Sequence, residues 1–480
     1  MVFQALRNQR LMKGILIVVV IAFAGSLVVF GGSLFSGSGT RTVIAKVNGA
    51  AIKATEFDQS YQSTVNYYQQ VMGEIPRSAV QYVRYVTLEN MITDQLLLQQ
   101  VRKNGVKISA TEINDELKVI KENFATDAEY KEWLEYNELT DVEVRKLIKD
   151  NLAVTKLREL KSAVEITDDD VKASFEQVKA SHILIQPVND NWDVAKTQAE
   201  KVLAEIKSGQ TFAAMAKKYS ADTATKDNGG DLDYFKRADM DEAFSAAAFA
   251  LNVGEISQPV KSSYGYHIIK VTARKEASGA EFDTAKEALK TELQTSKSET
   301  QYNEWFAQVR SEAKIVVNDP SLRAQQYVAN QQYPQAVSQY QEAIEEDASD
   351  PYLHVALGDV YRQLEDSDAA LAEYEAAVAL GESDAELHLV LGMAYNEKDM
   401  KDKAVASLRM ASSLDTYTYS IHTQLQQLFT TLGMTEDAKA EQTKLDQIQK
   451  MYEEQAAAAE EQAKAQEELD KKLDETETDK

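Results

Sequence analysis

The chain has 480 residues, a formal net charge of −25 and no cysteine. This length corresponds to about three domains, and an apolar content of 44% is enough to build their cores. The acidic balance argues against nucleic acid as a partner, because polyphosphate binding requires clustered Lys and Arg. The lack of cysteine excludes disulfides, thiolate metal sites, a thiol nucleophile and a lipid-modified N-terminal cysteine.

The first forty residues have the pattern of a membrane anchor. Basic residues up to Lys13 precede a stretch, 14–40, that contains no charged side chain. Since about 20 apolar residues span a bilayer as a helix, we predict a single transmembrane helix over 14–35, with 1–13 in the cytoplasm and the bulk of the chain outside it. A cleavable signal peptide is the alternative, because 22–24 has a small-x-small pattern, but that site falls inside the apolar run.

A Gly- and Ser-rich linker over 36–42 leads into a region, 43–177, that we predict to be mostly helical. It opens with a hairpin, because an alternating apolar run ends at Asn48-Gly49. Two later positions combine a capping residue with acids in the following turn, and so predict helix starts: Ser109 and Thr167.

Two histidines that lie 85 residues apart frame an α/β unit. His182 and His267 each lie in a short apolar run typical of a β-strand. Between the two runs come a loop acid, Asp222, and a glycine turn, Gly229-Gly230, with helical patterns on either side. The order is therefore strand, helices, glycine turn, helix and strand.

These motifs, in this order, resemble the parvulin family of peptidyl-prolyl isomerases over 178–274, about a fifth of the chain. The resemblance implies an α/β isomerase domain with three catalytic residues: His182, Asp222 and His267. It also implies five substrate-binding residues. Three form a proline pocket, Leu232, Met240 and Phe244, and two lie at the rim of the last strand turn, Ser262 and Tyr264. No cofactor and no metal are implied.

Isomerisation of an X-Pro bond needs neither a nucleophile nor a metal. Its barrier of about 18–20 kcal/mol comes from amide resonance, so a catalyst has to offer an apolar slot for the ring and surroundings that favour the twisted amide. Three alternatives stay open. The fold could be catalytically idle and bind peptides only, the two histidines could serve packing and tautomer control alone, and Asp222 could be a solvated loop acid.

The loop after the first histidine strand, 186–192, contains no Lys or Arg. Phosphate-directed members of the family carry basic residues at this place, and a phosphoserine dianion without a cation would be unpaired. We therefore expect no preference for phosphorylated X-Pro bonds.

The helical region resembles the N-terminal chaperone domain of the SurA and PpiD group of periplasmic foldases. The residues that carry this resemblance are the hairpin at 47–49 and the turn at 104–109 after a long helix. In that group a later segment returns to complete the chaperone domain. Here 275–318, a helical stretch followed by an apolar run, matches it in type and place, which implies a helical domain (43–177 with 275–318) into which the isomerase is inserted.

From residue 319 the chain repeats every 34 residues. The period relates four sets of aromatic or small residues: Tyr327, Tyr361, Tyr395 and Phe429; Ala336, Ala370, Ala404 and Ala438; Ala343, Ala377 and Ala411; Gly358 and Gly392. This is the pattern of tetratricopeptide repeats, which stack helix pairs into a solenoid with a concave face. We predict these repeats over 319–446 and an acidic tail, helical and then disordered, over 447–480.

His354, His388 and His422 keep the same period. Successive repeats stack about 10 Å apart, whereas the ligands of one metal ion all lie about 2 Å from it. We therefore interpret these histidines as occupants of one repeated packing position and predict no metal site.

Together the patterns predict a multidomain α and α/β protein, with an N-terminal transmembrane helix, a SurA-like chaperone domain, an inserted parvulin domain and a C-terminal tetratricopeptide solenoid. The expected function is that of a single-pass foldase of the cell (inner) membrane, with isomerase and holdase activity on unfolded exported polypeptides and a protein partner in the repeat groove. A non-catalytic holdase or assembly scaffold with a vestigial parvulin fold is the alternative, and a pure tetratricopeptide adaptor is a third reading.

Overall fold

The computed structural model describes residues 42–72, 75–137 and 139–478. Two compact units are present, one formed by the described residues up to Leu157 together with those from Val309 onward, and the other by Arg158–Gln308. The predicted cytoplasmic segment (1–13) and transmembrane helix (14–35) lie outside the described residues. Within the described part of the chain, no helix is both long and apolar enough to cross a bilayer.

The first unit begins with a β-hairpin followed by helices. Its elements up to the first boundary are β1 (Val43–Val47), β2 (Ala50–Lys53), α1 (Ala54–Met72), α2 (Val80–Lys103), α3 (Ala110–Lys121), α4 (Asp127–Tyr136) and α5 (Asp141–Ser162). The turn between the antiparallel strands β1 and β2 places Asn48 and Gly49 at positive φ, 52° and 87°, as an Asn-Gly hairpin requires. Ser109 caps α3 in a capping box with Glu112. Both sequence predictions are therefore met.

The second unit is built around a four-stranded sheet. Its elements are α6 (Asp168–Phe175), β3 (Gln177–Ile185), α7 (Trp192–Lys207), α8 (Phe212–Tyr219), β4 (Asp231–Phe235), α9 (Glu242–Ala250), β5 (Val260–Lys261), β6 (Tyr266–Lys275) and α10 (Gly279–Ser311). The strands pair antiparallel in the order β4-β3-β6-β5. A second capping box, at Thr167, starts α6 as the sequence predicts.

Each face of this sheet has its own core, because side chains alternate along a strand. One face packs on α7 and α8 through a cluster that includes Ile183 and Ile268. The other face packs on α9 through a cluster that includes Ala180 and Ile269. His182 lies two residues after Ala180 on β3, and His267 lies two residues before Ile269 on β6. Both histidines therefore lie on the α9 face.

After α10 the chain returns to the first unit. There β7 (Ile315–Val317) pairs antiparallel with β1 and completes a sheet in the order β2-β1-β7. In the described chain, four consecutive helix pairs follow: α11 (Pro320–Ala329), α12 (Tyr333–Glu346), α13 (Pro351–Gln363), α14 (Ser367–Leu380), α15 (Ala385–Glu397), α16 (Lys401–Leu414), α17 (Tyr419–Thr431) and α18 (Thr435–Thr478). The segment predicted as a tail thus continues α18 up to Thr478.

The 34-residue period is visible in the backbone of the repeats. The second residue after the first helix of each pair adopts the left-handed conformation: Gln331 (φ 58°), Glu365 (φ 60°), Asp399 (φ 56°) and Gly433 (φ 74°). Periodic small residues lie at close contacts between helices. At Gly358, for example, a Cβ would come within 2.5 Å of the Tyr374 ring.

Two of the three periodic histidines bond to a glutamate of the same helix pair, and the third bonds to the backbone. His354 Nδ1 lies 2.7 Å from Glu373 Oε2, and His422 Nδ1 lies 2.6 Å from Glu441 Oε2, at the same repeat position. In the unit between them, His388 Nε2 donates to the backbone carbonyl of Glu382 at 2.9 Å. His422 is fully buried, whereas the other two are half-buried. Among the described residues, no group of three or more His, Asp or Glu side chains is placed to hold a metal ion.

Candidate active site

Two imidazoles stack on adjacent strands of the second unit. β3 and β6 pair in a register that sets His182 opposite Ile269 and His267 opposite Leu184, so the two histidines are diagonal neighbours on one face. Their ring centres are 5.4 Å apart, with 16° between the planes, and their Nδ1 atoms are 3.2 Å apart. Both side chains are buried.

The Nε2 atom of each histidine forms a further hydrogen bond on the side away from the other ring. His182 Nε2 lies 2.8 Å from Asp222 Oδ2, and His267 Nε2 lies 2.7 Å from Ser262 Oγ. Asp222, His182, His267 and Ser262 thus form one continuous hydrogen-bonded chain, which we call the relay. Four of the residues singled out by the sequence come together in it.

The ends of the relay set the direction of its protons. An ionised Asp222 can only accept, so His182 donates through Nε2, and in a neutral ring its Nδ1 is then an acceptor. His267 then donates through Nδ1, and its Nε2 accepts the hydroxyl proton of Ser262. The Ser262 oxygen in turn accepts the backbone N–H of Tyr264 at 3.1 Å. In this arrangement both imidazoles are neutral, in opposite tautomers.

Asp222 is held by its own loop as well as by His182. Thr225 Oγ1 donates to Asp222 Oδ2, and the Ala224 N–H donates to Oδ1 at 3.1 Å. Partial burial acts to raise the pKa of this carboxyl, but the hydrogen bonds from Thr225, His182 and Ala224 outweigh it and hold the pKa below 3.8. The carboxylate therefore stays ionised at neutral pH, with 22% of its side chain exposed.

His267 is the buried partner of the pair. The pKa of His267 is lowered from 6.5 to about 4, chiefly by burial and then by the neighbouring His182, against an opposing attraction from Asp241 and Asp222. The imidazole is therefore neutral at neutral pH, as the direction of the protons in the relay requires.

Apolar side chains lie directly against the two imidazoles. The Phe244 ring stands edge-on to His182 at 5.8 Å and to His267 at 5.1 Å between ring centres, and it is buried. Leu232 and Met240 pack on the same cluster but are only half-buried. The predicted proline pocket thus consists of a buried ring and two side chains whose apolar surface stays accessible beside the relay.

The two predicted rim residues occupy different places. Ser262 is 7% exposed and ends the relay, whereas the Tyr264 side chain is 65% exposed. A serine hydroxyl donating to an imidazole has the geometry of a base-activated nucleophile. Ser262 is already bonded at the end of the relay, however, and a pKa of about 4 makes His267 a weak base at neutral pH. The contact therefore fixes the tautomer of His267.

The sequence gives no direct sign of three supporting contacts. Thr225 holds Asp222, as described above. Ser220 Oγ accepts the N–H groups of Leu184 at 3.1 Å and of Asp222 at 3.3 Å, which ties the loop to β3. Gly230 accepts the His182 N–H at 2.8 Å, and a Cβ at this position would lie 2.1 Å from the His182 carbonyl oxygen. The paired glycines are the sequence feature that points to such a close approach.

The loop after β3 places an aromatic side chain where a phosphate site would need cations. Trp192 stands edge-on to Tyr266, 6.2 Å between ring centres, and Lys261 Nζ lies 4.5 Å above the Trp192 ring. Because Lys261 pairs with Tyr266, the neighbour of His267, its side chain lies on the sheet face opposite the relay. This nearby cation is thus engaged by an aromatic ring away from the relay.

Family models match three parts of the chain: a PPIC-type PPIase domain (166–275), a SurA-like N-terminal domain (2–158) and TPR or tetratricopeptide repeats (324–364 and 355–415). These matches confirm the three resemblances drawn from the sequence. They also agree with the position of the relay, which lies within the PPIase match.

Curated relatives cover a large part of the chain. The foldase protein PrsA of Caldanaerobacter subterraneus subsp. tengcongensis is 32% identical over 245 residues, which is 48% of this chain and 72% of the relative. The PrsA of Oceanobacillus iheyensis is 32% identical over 233 residues, 47% of this chain and 74% of the relative. A crystal structure of the peptidylprolyl isomerase PrsA from Bacillus anthracis matches at 27% identity and a TM-score of 0.27, over 47% of this chain and 96% of that one. The chain therefore belongs to the PrsA foldase family and carries a parvulin-type peptidyl-prolyl cis-trans isomerase domain together with a SurA-like N-terminal domain and tetratricopeptide repeats.

Proposed function

We propose that this chain is a membrane-anchored, extracytoplasmic foldase that accelerates X-Pro isomerisation in unfolded exported polypeptides and holds those polypeptides while they fold. The observation that carries the catalytic part is the relay, which holds an ionised Asp222 through His182. The half-buried Leu232 and Met240 belong to the apolar cluster of Phe244, whose ring contacts both histidines. A carboxylate and an apolar slot are the two features that rotation about an X-Pro bond can use.

The carboxylate acts on the charge distribution of the amide. In the planar amide, resonance puts negative charge on the carbonyl oxygen, and rotation removes that charge. An anion close to this oxygen destabilises the planar state more than the twisted one, so it lowers the barrier by differential binding. In this proposal Asp222 is the catalytic residue. His182, His267 and Ser262 are positioning residues that keep the carboxylate ionised and oriented.

The apolar residues hold the ring during rotation. Met240, Leu232 and Phe244 take up the proline ring, and Tyr264 contacts the peptide at the surface. We keep the expectation that the loop 186–192 gives no preference for a phosphorylated residue before proline. Turnover of matched Ser-Pro and phosphoSer-Pro peptides tests it, since a clearly faster phosphopeptide would contradict it.

In this proposal the remaining segments anchor the chain in the membrane and bind unfolded polypeptides. We place the anchor at 14–35, the chaperone domain at 43–177 with 275–318, the isomerase at 178–274 and the repeats at 319–446. Exported chains expose apolar segments that aggregate unless they are held, and a protein partner binds in the groove of the repeats. Removing residues 1–35 should move the chain from the membrane to the soluble fraction of the cell. Retention in the membrane fraction would contradict the anchor.

A peptide isomerisation assay on the whole chain tests the catalytic proposal. We expect Asp222→Asn to lower kcat/KM by at least about tenfold, because it removes the charge and keeps the shape. Met240→Ala should lower it by about tenfold through lost contact with the ring. Asp227→Asn, an exposed acid of the same loop, is the matched control and should keep the native rate. A native chain with no rate above background would support the non-catalytic holdase.

A further inference from the structure

A turn of the chaperone region is bound by the repeat array of the same unit. The 3-10 turn Arg77–Ala79 leads into α2. The backbone N–H of Arg77 donates to Glu386 Oε2 at 2.8 Å, and that of Ser78 donates to Glu386 Oε1 at 2.9 Å. The Ser78 hydroxyl donates to the same oxygen. One carboxylate of α15 thus holds two successive N–H groups from a segment more than 300 positions earlier in the chain.

These N–H groups have no acceptor within their own helix. The first N–H groups of any helix lack intrahelical partners, and Pro76, which precedes the turn, gives no side-chain cap. Glu386 therefore does what a capping residue does elsewhere, with a negative charge at the positive end of the helix. Their protection from solvent exchange consequently depends on Glu386.

The array presents a prepared acidic site to this turn. Asp384 accepts the Arg77 guanidinium at 3.0 Å through Oδ2 and the Tyr352 hydroxyl at 2.7 Å through the same atom. Its other oxygen accepts the Glu386 N–H at 2.9 Å, so both acids are fixed relative to each other. We call Tyr352, Asp384 and Glu386 the acidic notch. Its chemistry suits an arginine followed by free backbone N–H groups.

Further contacts along α2 keep the turn seated. Arg84 Nη2 lies 3.3 Å from Asp319 Oδ2, and Glu89 Oε1 accepts from Gln326 Nε2 at 3.2 Å. Asp319 is the N-cap of α11 and Gln326 lies within α11, so both contacts are made by the first helix of the repeats. The notch is thus the far end of a continuous contact between α2 and the repeats.

We propose that the turn Arg77–Ala79 is an internal ligand of the tetratricopeptide array, and that a protein partner of the array displaces it and occupies the acidic notch with an arginine-bearing turn of its own. This deepens the docking role proposed above for the repeats. Because the internal turn is tethered, its effective concentration is of millimolar order, so the notch stays closed to weak partners.

Hydrogen exchange followed by mass spectrometry on the whole chain tests the internal contact. Glu386→Gln and Arg77→Glu should each speed exchange in peptides covering 75–80 by at least about tenfold, with exchange in β3 and β6 unchanged. Lys107→Glu, the same charge reversal at an exposed position of this unit, should leave these peptides as in the native chain. Native exchange rates in both notch variants would overturn the proposal.

Binding of a labelled peptide that copies residues 75–82 tests the closed state. The Arg77→Glu chain, whose notch is vacated, should bind the peptide at least about tenfold more tightly than the native chain. Adding Glu386→Gln to that variant should abolish binding. Equal affinity for the native and Arg77→Glu chains would overturn the internal ligand and leave the docking role intact. Binding to neither chain would overturn the notch itself as a docking site.

Discussion

At the scale of single residues, burial controls the protonation of the relay. The folded-state pKa of His267, about 4, lies below its ordinary value of 6.5. Between pH 6.5 and about pH 4, this histidine is therefore protonated in the unfolded chain but neutral in the folded chain. The stability that the neutral imidazole contributes is complete above pH 6.5 and is lost as the pH falls to about 4, on the order of 3 kcal/mol in total.

This predicts a direct spectroscopic result. In an NMR titration of the imidazole carbon resonances, the His267 signal should keep its neutral position through pH 6 and move with a midpoint at about pH 4. Asp222→Asn removes one of the two carboxylates that attract a proton to this ring, so it should not raise the midpoint. A midpoint near 6.5 in the native chain would show that the ring is not buried as described.

Gly230 makes a second prediction at this scale. Its φ is 80°, and an added Cβ would lie 2.1 Å from the His182 carbonyl oxygen. Gly254 also has a positive φ, 90°, but its Cβ would meet nothing within 4 Å, so it isolates the backbone cost of about 1–2 kcal/mol. We expect Gly254→Ala to lower the free energy of unfolding by that amount and to keep isomerase turnover.

Gly230→Ala should lower the free energy of unfolding more than Gly254→Ala does, and it should also distort the active site. The clash with the β3 backbone adds to the conformational cost, and it displaces His182 from the other members of the relay. We expect at least about a tenfold loss of kcat/KM in the isomerisation assay. Equal unfolding free energies for the two variants, with turnover retained in both, would contradict the close approach.

At the scale of elements, sequence patterns that act locally were reliable guides. The Asn48-Gly49 hairpin and the capping boxes at Ser109 and Thr167 each depend on residues at most three positions apart. The contacts that hold Asp222 are different in kind. Ser220 meets Leu184 across 36 positions, and such a pairing depends on how the loop lies against β3, which no periodicity encodes.

The repeat backbone offers a stabilising substitution. Glu365 is exposed and adopts a left-handed φ of 60° after α13, a conformation that costs a side-chain-bearing residue about 1–2 kcal/mol and glycine almost nothing. We expect Glu365→Gly to stabilise the array by up to about 1 kcal/mol, after the greater entropy of glycine in the unfolded chain is subtracted. Differential scanning calorimetry of the whole chain measures the shift.

A matched change at the same site separates backbone strain from the loss of charge. Glu365→Ala removes the carboxylate but keeps a Cβ in the left-handed conformation, so its transition should stay close to that of the native chain. Equal stabilisation by Gly and Ala would assign the effect to the charge of Glu365 and not to its φ.

At the scale of the whole molecule, the repeats form one compact unit with the part of the chaperone region up to Leu157, and the isomerase residues form another with the rest of Arg158–Gln308. Tetratricopeptide periodicity identifies the array from sequence alone, but it marks only contacts between neighbouring repeats. The pairs Arg77–Asp384 and Arg84–Asp319 join positions 307 and 235 residues apart. Their charged side chains are equally typical of positions exposed to solvent, so the sequence could not predict these pairs.

This division predicts how the chain responds to truncation. A chain that ends at residue 318 loses Asp319, the ion-pair partner of Arg84, and Gln326, which donates to Glu89, while the pair between Glu89 and Arg310 remains. Arg84 would then keep its stacking on Phe57, 5.3 Å from the ring centre, without its ion pair. We expect the calorimetric transition of the chaperone region to fall by several degrees, because losses of 1–2 kcal/mol shift melting temperatures by about that amount. Isomerase kcat/KM should stay within about twofold of the native value, since the relay and its apolar pocket lie wholly within Arg158–Gln308.

The control for this truncation is a chain that ends at residue 450, which keeps all four helix pairs and removes only the extension of α18. Its chaperone transition should match that of the full chain, because the hydrogen bonds that join Arg77, Arg84 and Glu89 to the repeats all come from residues before that point. If the chain ending at 318 melts like the full chain, the repeats do not brace α2. If both truncations lose isomerase turnover, the catalytic unit depends on the C-terminal region, contrary to the separation of the two units.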